Sequence, residues 1–323
     1  MSLTDDQLDL RDAVRSFLAE RPDAPWSRFA AELGVAGLAV PEEYGGAGCG
    51  MPEAAVVCEE LGRVTASHPY LQTAVLAVEA VKAAGDPDAM ARLLPGIADG
   101  SVTATVLLPG DADLSLSGDR LTGVARHALD GDVVLAFVDG ELVEAVPSSR
   151  TPHTTLDQTR PLTSFTFADA PVLRVGDGAA HGRIRDLGVV GLASEQVGGA
   201  ARCLETAVAY AKERHQFGRP IGSFQAVKHK AADLLLLVES ARSAAMAAAR
   251  ASEDELAVLA AIAGSYCSEA YLAAAGENIQ IHGGLGVTWE HSAHRHLKRA
   301  ASDAELFGPP QAHRARLASA AGL

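Results

Sequence analysis

Three long stretches after residue 183 carry small apolar side chains at alternating spacings of three and four residues. This spacing places the side chains on one face of an α-helix. A capping box of Ser252 and Glu255 marks the start of the third stretch, and a fourth helical stretch follows Trp289. Aromatic residues make up only 5% of the chain, and the abundant alanine, leucine and valine suit closely packed helices. The pattern predicts a four-helix bundle over residues 179–323, with apolar faces that suit contact with other subunits.

Residues 101–178 instead contain short runs of β-branched residues. The runs Val133–Val138 and Glu141–Val146 are joined by Asp139–Gly140, which predicts a β-hairpin with a type I′ turn. We expect a small sheet of about five strands here. A polar linker over residues 176–182 is expected to follow it.

Residues 1–100 predict helices again. Thr4 and Gln7 form a capping box ahead of an apolar stripe, so the first helix should begin near Asp5. A loop rich in proline and glycine over residues 41–48 interrupts the helical pattern. The chain is therefore expected to be mainly α, with an N-terminal helical domain, a reduced middle β domain and a C-terminal four-helix bundle.

The charge balance and the cysteines restrict the partners and the compartment. With 27 Lys and Arg against 41 Asp and Glu, the formal net charge is −14, which disfavours binding to nucleic acid or to an anionic membrane. The N-terminus has no basic, apolar leader, and no apolar run approaches the roughly 20 residues that span a bilayer. The four cysteines form no CxxC pair and suit a reducing compartment. We expect a cytoplasmic protein.

Two glycine-containing turns place hydrogen-bond donors at helix ends. One covers residues 213–225, between the first two bundle helices, and the other covers residues 280–288. Guanidinium groups and bare backbone N–H groups suit a diphosphate, although the spacing matches no GxGxxG fingerprint. From the residues alone, Gly218 and the pair Gly283–Gly284 are explained equally simply as helix C-caps, which is the more common role.

Three histidines lie close together at His291, His294 and His296. Arg295 and the two cations at 298 and 299 would repel a metal ion, so we expect no metal site. The residues are better explained as a solvated basic face of a helix.

Several segments together resemble the flavin-dependent acyl-CoA dehydrogenase family over essentially the full length. The N-terminal part contains LGVAGL, VPEEYGG and EELGR, and the C-terminal part contains RHQFGRPI, FQ and QIHGG. In this family the arginine, QFG and QIxGG segments reach across a subunit interface to the adenosine and diphosphate of FAD. The resemblance therefore implies FAD contacts from Arg214, Gln216, Phe217, Gln225, Gln280, Gly283 and Gly284.

The family's reaction is the α,β-dehydrogenation of an acyl-CoA thioester, which needs a carboxylate base beside the flavin. The position of the family's usual catalytic glutamate corresponds to Phe307 in this chain, and the alternative position of that base corresponds to Gly188. Neither residue can act as a base. Asp186 and Glu195 are weak substitutes nearby in sequence.

The middle domain also lacks residues that the family uses at the flavin site. The loop that contacts the flavin ring in the family corresponds to residues 105–111, which lack the acidic residue before Pro109 and the later serine. The half of the flavin site that belongs to this chain is thus eroded, whereas the half offered to a neighbour is retained.

This asymmetry favours a short subunit that pairs with a longer catalytic acyl-CoA dehydrogenase in a heterotetramer, as in relatives that act on bulky thioesters such as sterol side chains. One alternative is a self-sufficient homo-oligomeric enzyme whose base is displaced to Asp186 or Glu195. Another is a scaffold or acyl-CoA binder without redox function.

Overall fold

The computed structural model describes residues 3–322, and its N-terminal part is helical as predicted. Thr4 accepts a hydrogen bond from the Gln7 amide, which confirms the predicted capping box. A π-helical turn at Leu71–Ala77 is fully buried. The helices of this part are α1 (Asp5–Glu20), α2 (Trp26–Leu33), α3 (Met51–Arg63), α4 (Val78–Ala84) and α5 (Pro87–Ala98).

The middle part forms one mixed sheet. Its strands are β1 (Ala104–Leu107), β2 (Ala112–Ser117), β3 (Arg120–Leu129), β4 (Val133–Val138), β5 (Glu141–Ala145), β6 (Ser149–His153) and β7 (Leu162–Asp177). The order is β1-β4-β5-β7-β3-β2, with β6 also paired to β7. Strands β1 and β4 are parallel, and every other pair is antiparallel.

The prediction of about five strands is wrong, because the sheet has seven. Strand β6 has the sequence SRTPH and is almost wholly exposed, so it lacks an apolar signal. The predicted linker is partly strand as well, since β7 continues to Asp177. Gly176 permits this, because a Cβ there would lie 2.4 Å from the carbonyl oxygen of Ala84.

The predicted hairpin is confirmed. Asp139 and Gly140 have φ of +51° and +82°, as a type I′ turn requires, and they join the antiparallel strands β4 and β5. The buried face of the sheet is filled mainly by Val, Ala, Leu and Phe side chains, which include Leu121, Val143 and Phe165.

The C-terminal part contains three long helices and two short ones. These are α6 (His181–Glu213), α7 (Gln225–Ala249), α8 (Glu253–His282), α9 (Ala293–Asp303) and α10 (Pro310–Ala320). The capping box predicted at Ser252 is confirmed. The single fourth helix predicted after Trp289 is wrong, because Phe307 and Gly308 adopt φ of +62° and +110° and separate α9 from α10.

The chain divides into two compact units, each formed by segments that are not contiguous. The sheet unit comprises Thr4–Val57 and Ser67–Gly191, and the bundle unit comprises Cys58–Ala66 with the described residues from Leu192 onward. The three-domain division at about residues 100 and 178 remains a prediction.

Within the bundle unit, the end of α3 packs directly against α6. A Cβ on Gly62 would lie 1.9 Å from the carbonyl oxygen of Glu195, and a Cβ on Gly198 would lie 1.8 Å from that of Glu59. Only glycine allows the two helix backbones to approach so closely. The Arg242 guanidinium also forms an ion pair with Glu59.

One helical segment, Glu253–Val287, is long and apolar enough to cross a membrane by length and composition alone. This exceeds the apolar length expected from the sequence. Of its most apolar window, 56% is buried inside the protein, as in the core helix of a bundle.

Candidate functional site

The two glycine-containing turns lie at the same end of the bundle unit. Helix α6 ends at Glu213 and α8 ends at His282. Just before these ends, the Tyr210 ring stacks on the His282 ring with 4.3 Å between centroids. The Thr206 hydroxyl donates to the Asn278 side-chain oxygen over 3.2 Å. The fold therefore brings together the segments that hold Arg214 and Gly283.

The first segment is a tight hairpin. Strands β8 (His215–Gln216) and β9 (Arg219–Pro220) pair, and Phe217 and Gly218 form the turn with φ of +52° and +76°. Gly218 is thus a turn residue, and its interpretation as a helix C-cap is wrong.

Phe217 is 91% exposed, although a bulky side chain at positive φ is strained. Its ring meets the Phe224 ring edge to face at 6.1 Å. The Arg219 guanidinium lies 4.2 Å from the Phe224 centroid. The hairpin thus presents an aromatic side chain to solvent.

The second segment begins where α8 ends. Gly283 is the C-cap residue of α8, with φ of +62°, as the helix-cap interpretation expected. No atom lies within 4 Å of a Cβ placed on Gly283 or Gly284, so packing within the chain does not require glycine at either position. The bare backbone of this turn is open to an approaching group.

The polar side chains to which the family resemblance assigns FAD contacts are exposed to solvent. Arg214, Gln216, Gln225 and Gln280 are all exposed. Gln216 donates only to the neighbouring His215 carbonyl oxygen, at 2.9 Å. Arg214 forms no ion pair with any carboxylate in residues 3–322. These side chains remain available to a group outside the chain.

Cationic side chains lie on the hairpin and on α9. Arg214 and Arg219 lie on the hairpin, and Lys298 lies on α9 with its ammonium 4.3 Å from the Trp289 ring centroid. Guanidinium forks, amide donors and an open glycine turn are the chemistry that binds a diphosphate. The residues therefore fit the adenosine and diphosphate part of FAD.

The loop after β1 is fastened to α6 within the sheet unit. Arg185 donates to the Pro109 carbonyl oxygen over 2.7 Å and pairs with Asp111 at 3.0 Å. Leu108 stands before Pro109 and Gly110 after it, so the loop has no carboxylate or hydroxyl at these positions. This loop, which corresponds to the flavin-ring loop of the family, is held by an internal ion pair.

Neither family base position holds an ionisable group. Phe307 lies in the turn between α9 and α10, and Gly188 is buried in α6. The weak substitutes Asp186 and Glu195 are each 5% exposed. Glu195 pairs with Arg299 at 3.6 Å, and Arg299 also donates to the Ala66 carbonyl oxygen over 3.0 Å.

The expectation of a solvated basic face on α9 is wrong. His294, His296 and Arg299 are 7%, 5% and 2% exposed, because α9 packs its histidine face inward. The Tyr271 hydroxyl lies 2.9 Å from His296 Nδ1. Within residues 3–322, no three histidine, cysteine or acidic side chains converge as metal ligands do.

Sequence reasoning missed the rings behind the second turn. His282 and His291 have centroids 4.1 Å apart, in addition to the stack of His282 on Tyr210. Burial, aided by the neighbouring His282 and His294, lowers the pKa of His291. The spacing of Tyr210 and His282 near two helix ends was the only sequence signal for this contact.

Two sequence models of one family match the chain. The acyl-CoA dehydrogenase N-terminal domain matches residues 4–101, and the acyl-CoA dehydrogenase C-terminal domain matches residues 186–322. The chain belongs to the acyl-CoA dehydrogenase family. Acyl-CoA dehydrogenases are oxidoreductases, and membership implies FAD as the cofactor.

Several relatives of the acyl-CoA dehydrogenase family cover almost the whole chain. Acyl-CoA dehydrogenase IpdE2 of Mycobacterium tuberculosis is 39% identical over 310 residues, which is 95% of this chain and 90% of that protein. A chain in the crystal structure of the ChsE4–ChsE5 complex from Mycobacterium tuberculosis has a TM-score of 0.89 at 27% identity, covering 98% of this chain and 97% of its own. A chain of the Tcur3481–Tcur3483 steroid ACAD G363A variant has a TM-score of 0.86 at 27% identity, covering 97% of each chain.

Proposed function

We propose that this chain is the non-catalytic subunit of a heteromeric, FAD-dependent acyl-CoA dehydrogenase. In this assembly a longer partner supplies the base and the pocket for the flavin ring. This chain supplies contacts to the adenosine and diphosphate of FAD from the Arg214 hairpin and the Gly283–Gly284 turn. When bound, FAD would supply the acceptor for the hydride that leaves the β-carbon of the acyl-CoA substrate, while the partner's base takes the α-proton.

The observation that carries the proposal is the contrast between the two halves of the family's cofactor site. Phe307 and Gly188 cannot accept a proton, and the loop after β1 is held by Arg185 and lacks the family's acidic residue before Pro109 and its later serine. The donors at the end of the bundle unit are exposed, and within residues 3–322 Arg214 forms no ion pair with a carboxylate. A chain that contacts only the FAD of a neighbouring subunit needs these donors and does not need a base or a flavin-ring loop of its own.

Two relatives support a heteromer and a steroid substrate. The ChsE4–ChsE5 structure is a complex of two named chains, and the Tcur3481–Tcur3483 protein is described as a steroid acyl-CoA dehydrogenase. We therefore propose a bulky CoA thioester, such as that of a steroid side chain, as the substrate class, and a heterotetramer as the assembly.

The ion pair of Glu195 argues against a self-sufficient enzyme with a displaced base. The Glu195 carboxylate is buried and lies 3.6 Å from the buried Arg299 guanidinium, so this partner already occupies it. A scaffold without redox function would have no need for the exposed, strained Phe217 beside Arg214.

Flavin content tests the proposal. The chain is purified alone and again after co-expression with longer acyl-CoA dehydrogenase subunits from the same genome, and the FAD absorbance is divided by the chain concentration. We expect FAD only in the complex, at less than one per chain. A full complement in the chain alone would refute the shared site, and a complex without any FAD would refute redox function.

Matched variants locate the contact. Arg214→Ala should raise the Kd of the complex for FAD at least about tenfold, and so lower the FAD content retained after dilution, since a charge-assisted hydrogen bond to phosphate contributes about 1.5–3 kcal/mol. Arg126→Ala removes an exposed arginine on β3 and should leave the FAD content unchanged. Equal losses in both variants would contradict the assignment of Arg214.

The free cysteines support our further proposal of a cytoplasmic location. Cys58, Cys203 and Cys267 are buried thiols and Cys49 is partly exposed, with no disulfide among them. Fractionation of the source cell, with the chain detected by antibody, tests this; recovery outside the cytoplasm would refute it.

A further inference from the structure

Three aromatic rings connect the helices beneath the proposed cofactor turns. Tyr210 lies one turn before the end of α6, His282 is the last residue of α8, and His291 lies just before α9. The His282 centroid is 4.3 Å from that of Tyr210 and 4.1 Å from that of His291, with interplanar angles of 27° and 36°. The three rings, which we call the ring stack, join three segments through one buried imidazole.

The ring stack lies directly beside both cofactor segments. Tyr210 is four residues before Arg214, and the Arg214 amide donates to the Tyr210 carbonyl oxygen over 2.8 Å. His282 immediately precedes Gly283, and its Nδ1 lies 2.7 Å from the Asn278 carbonyl oxygen. The contact between Tyr210 and His282 therefore fixes how far the hairpin stands from the glycine turn.

His291 has cationic and titratable neighbours. His282 faces it from α8 and His294 approaches from α9, where burial, and then Lys298 and Arg295, lower the pKa of His294. The remaining ring of the stack is the phenol of Tyr210, which comes from α6. Within residues 3–322 no carboxylate forms an ion pair with His291, so a proton on its ring would meet positive charge without compensation.

We propose that His282 is a positioning residue for the proposed FAD contacts, and that the ring stack holds the two turns at their working separation only while His291 is neutral. This inference rests on the proposed function, because the binding of the adenosine and diphosphate of FAD would depend on the separation of the two turns. Protonation of His291 would loosen the stack and weaken the hold on the cofactor.

Hydrogen exchange of the chain alone tests the positioning without any flavin. The measured quantity is the protection of the backbone amides of residues 283–287, corrected for intrinsic exchange, at about pH 8 and about pH 5.5. Buried amides in the middle of α8 report global unfolding in the same sample. We expect protection of the turn to be several-fold lower at about pH 5.5 than at about pH 8, because a proton on the His291 ring would weaken the ring contacts that hold the turn.

Four variants separate the ring stack from general stability. His282→Phe keeps a ring and should retain protection at pH 8, whereas His282→Ala should lose it at both pH values. His291→Phe should remove the pH dependence. His181→Phe removes an exposed imidazole in the sheet unit and serves as the control, with the wild-type pH profile expected.

FAD retention by the complex with the partner is the second readout. The wild-type complex should lose FAD several-fold faster at about pH 5.5 than at about pH 8, and the His291→Phe complex should show no such difference. Unchanged protection of residues 283–287 in His282→Ala, or an undiminished pH dependence in His291→Phe, would overturn the inference. A complex that holds no FAD at all would refute the proposed function, while the exchange experiment would still decide on the positioning.

Discussion

Replacing Glu195 with glutamine is expected to destabilise the bundle unit and to leave catalytic turnover of the folded complex unchanged. Glu195 and Arg299 are 6% and 3% exposed at their side chains, and their charged atoms lie 3.6 Å apart. Water therefore screens the pair very little. Arg299→Met and Glu195→Gln each leave one charge buried without its partner.

The magnitude follows from that burial. Breaking a buried ion pair by removing one partner costs about 3–5 kcal/mol. For a folding unit of this size, that corresponds to a decrease in Tm on the order of 10 °C. The double variant, Glu195→Gln with Arg299→Met, should recover part of this loss, because both charges of the buried pair are then removed.

Thermal and urea unfolding of the four proteins form a double-mutant cycle that measures the coupling. The exposed pair of Glu269 and Arg314, with side chains 56% and 46% exposed, provides the control in the same unit. Glu269→Gln should cost less than about 1 kcal/mol.

Turnover of an acyl-CoA by the complex at a temperature well below the Tm of each variant completes the assay. If Glu195→Gln kept the wild-type Tm and abolished turnover, Glu195 would be a displaced base and the argument from its ion pair would be refuted.

Three further predictions concern other parts of the chain. Gly198→Ala should lower the Tm by several degrees, because the new Cβ would lie 1.8 Å from a carbonyl oxygen, whereas Gly276→Ala meets no atom within 4 Å and should stabilise α8 by about 0.5–1 kcal/mol in urea unfolding. Phe217→Gly should relieve roughly 1 kcal/mol of strain at positive φ, so the Tm should hold or rise while the FAD content of the complex falls; a lower Tm with full FAD would contradict this. Burial lowers the pKa of His68, so the unfolded chain binds more protons and stability should decline as the pH falls below 6.5. His68→Phe should flatten that decline in denaturant titrations at two pH values, and an unchanged slope would refute it.

The fold could be predicted wherever one side-chain period was sustained over many residues. The stripes of the long helices and the Asp139–Gly140 turn each specify local geometry directly, and both occur as expected. Strand β6 could not be predicted, because its exposed sequence is held by pairing with β7 and carries no apolar period. The break at Phe307 was hidden because phenylalanine rarely adopts positive φ.

The candidate site divides in the same way. Segments near Arg214 and Gly283 stood out through their residue types, and the fold brings them to one end of the bundle unit. The burial of one face of α9 could not be predicted from residue types. Charged and imidazole side chains at 294, 296 and 299 indicate a solvent-exposed face unless their buried partners are known. His282 likewise gains its significance from its contacts with Tyr210 and His291, and Tyr210 is remote in sequence.

The close approach of α3 to α6 has a consequence for how the protein is made. Cys58–Ala66 belongs to the bundle unit, yet it is synthesised long before Leu192 and the helices that follow. The glycine contact can form only after most of the chain has been translated. Until then, the apolar side chains of Cys58–Ala66 that pack against the bundle helices remain unburied. A fragment containing only the C-terminal helices would leave the groove at Gly198 open to water. We therefore expect that fragment to aggregate unless a peptide spanning Cys58–Ala66 is supplied in trans.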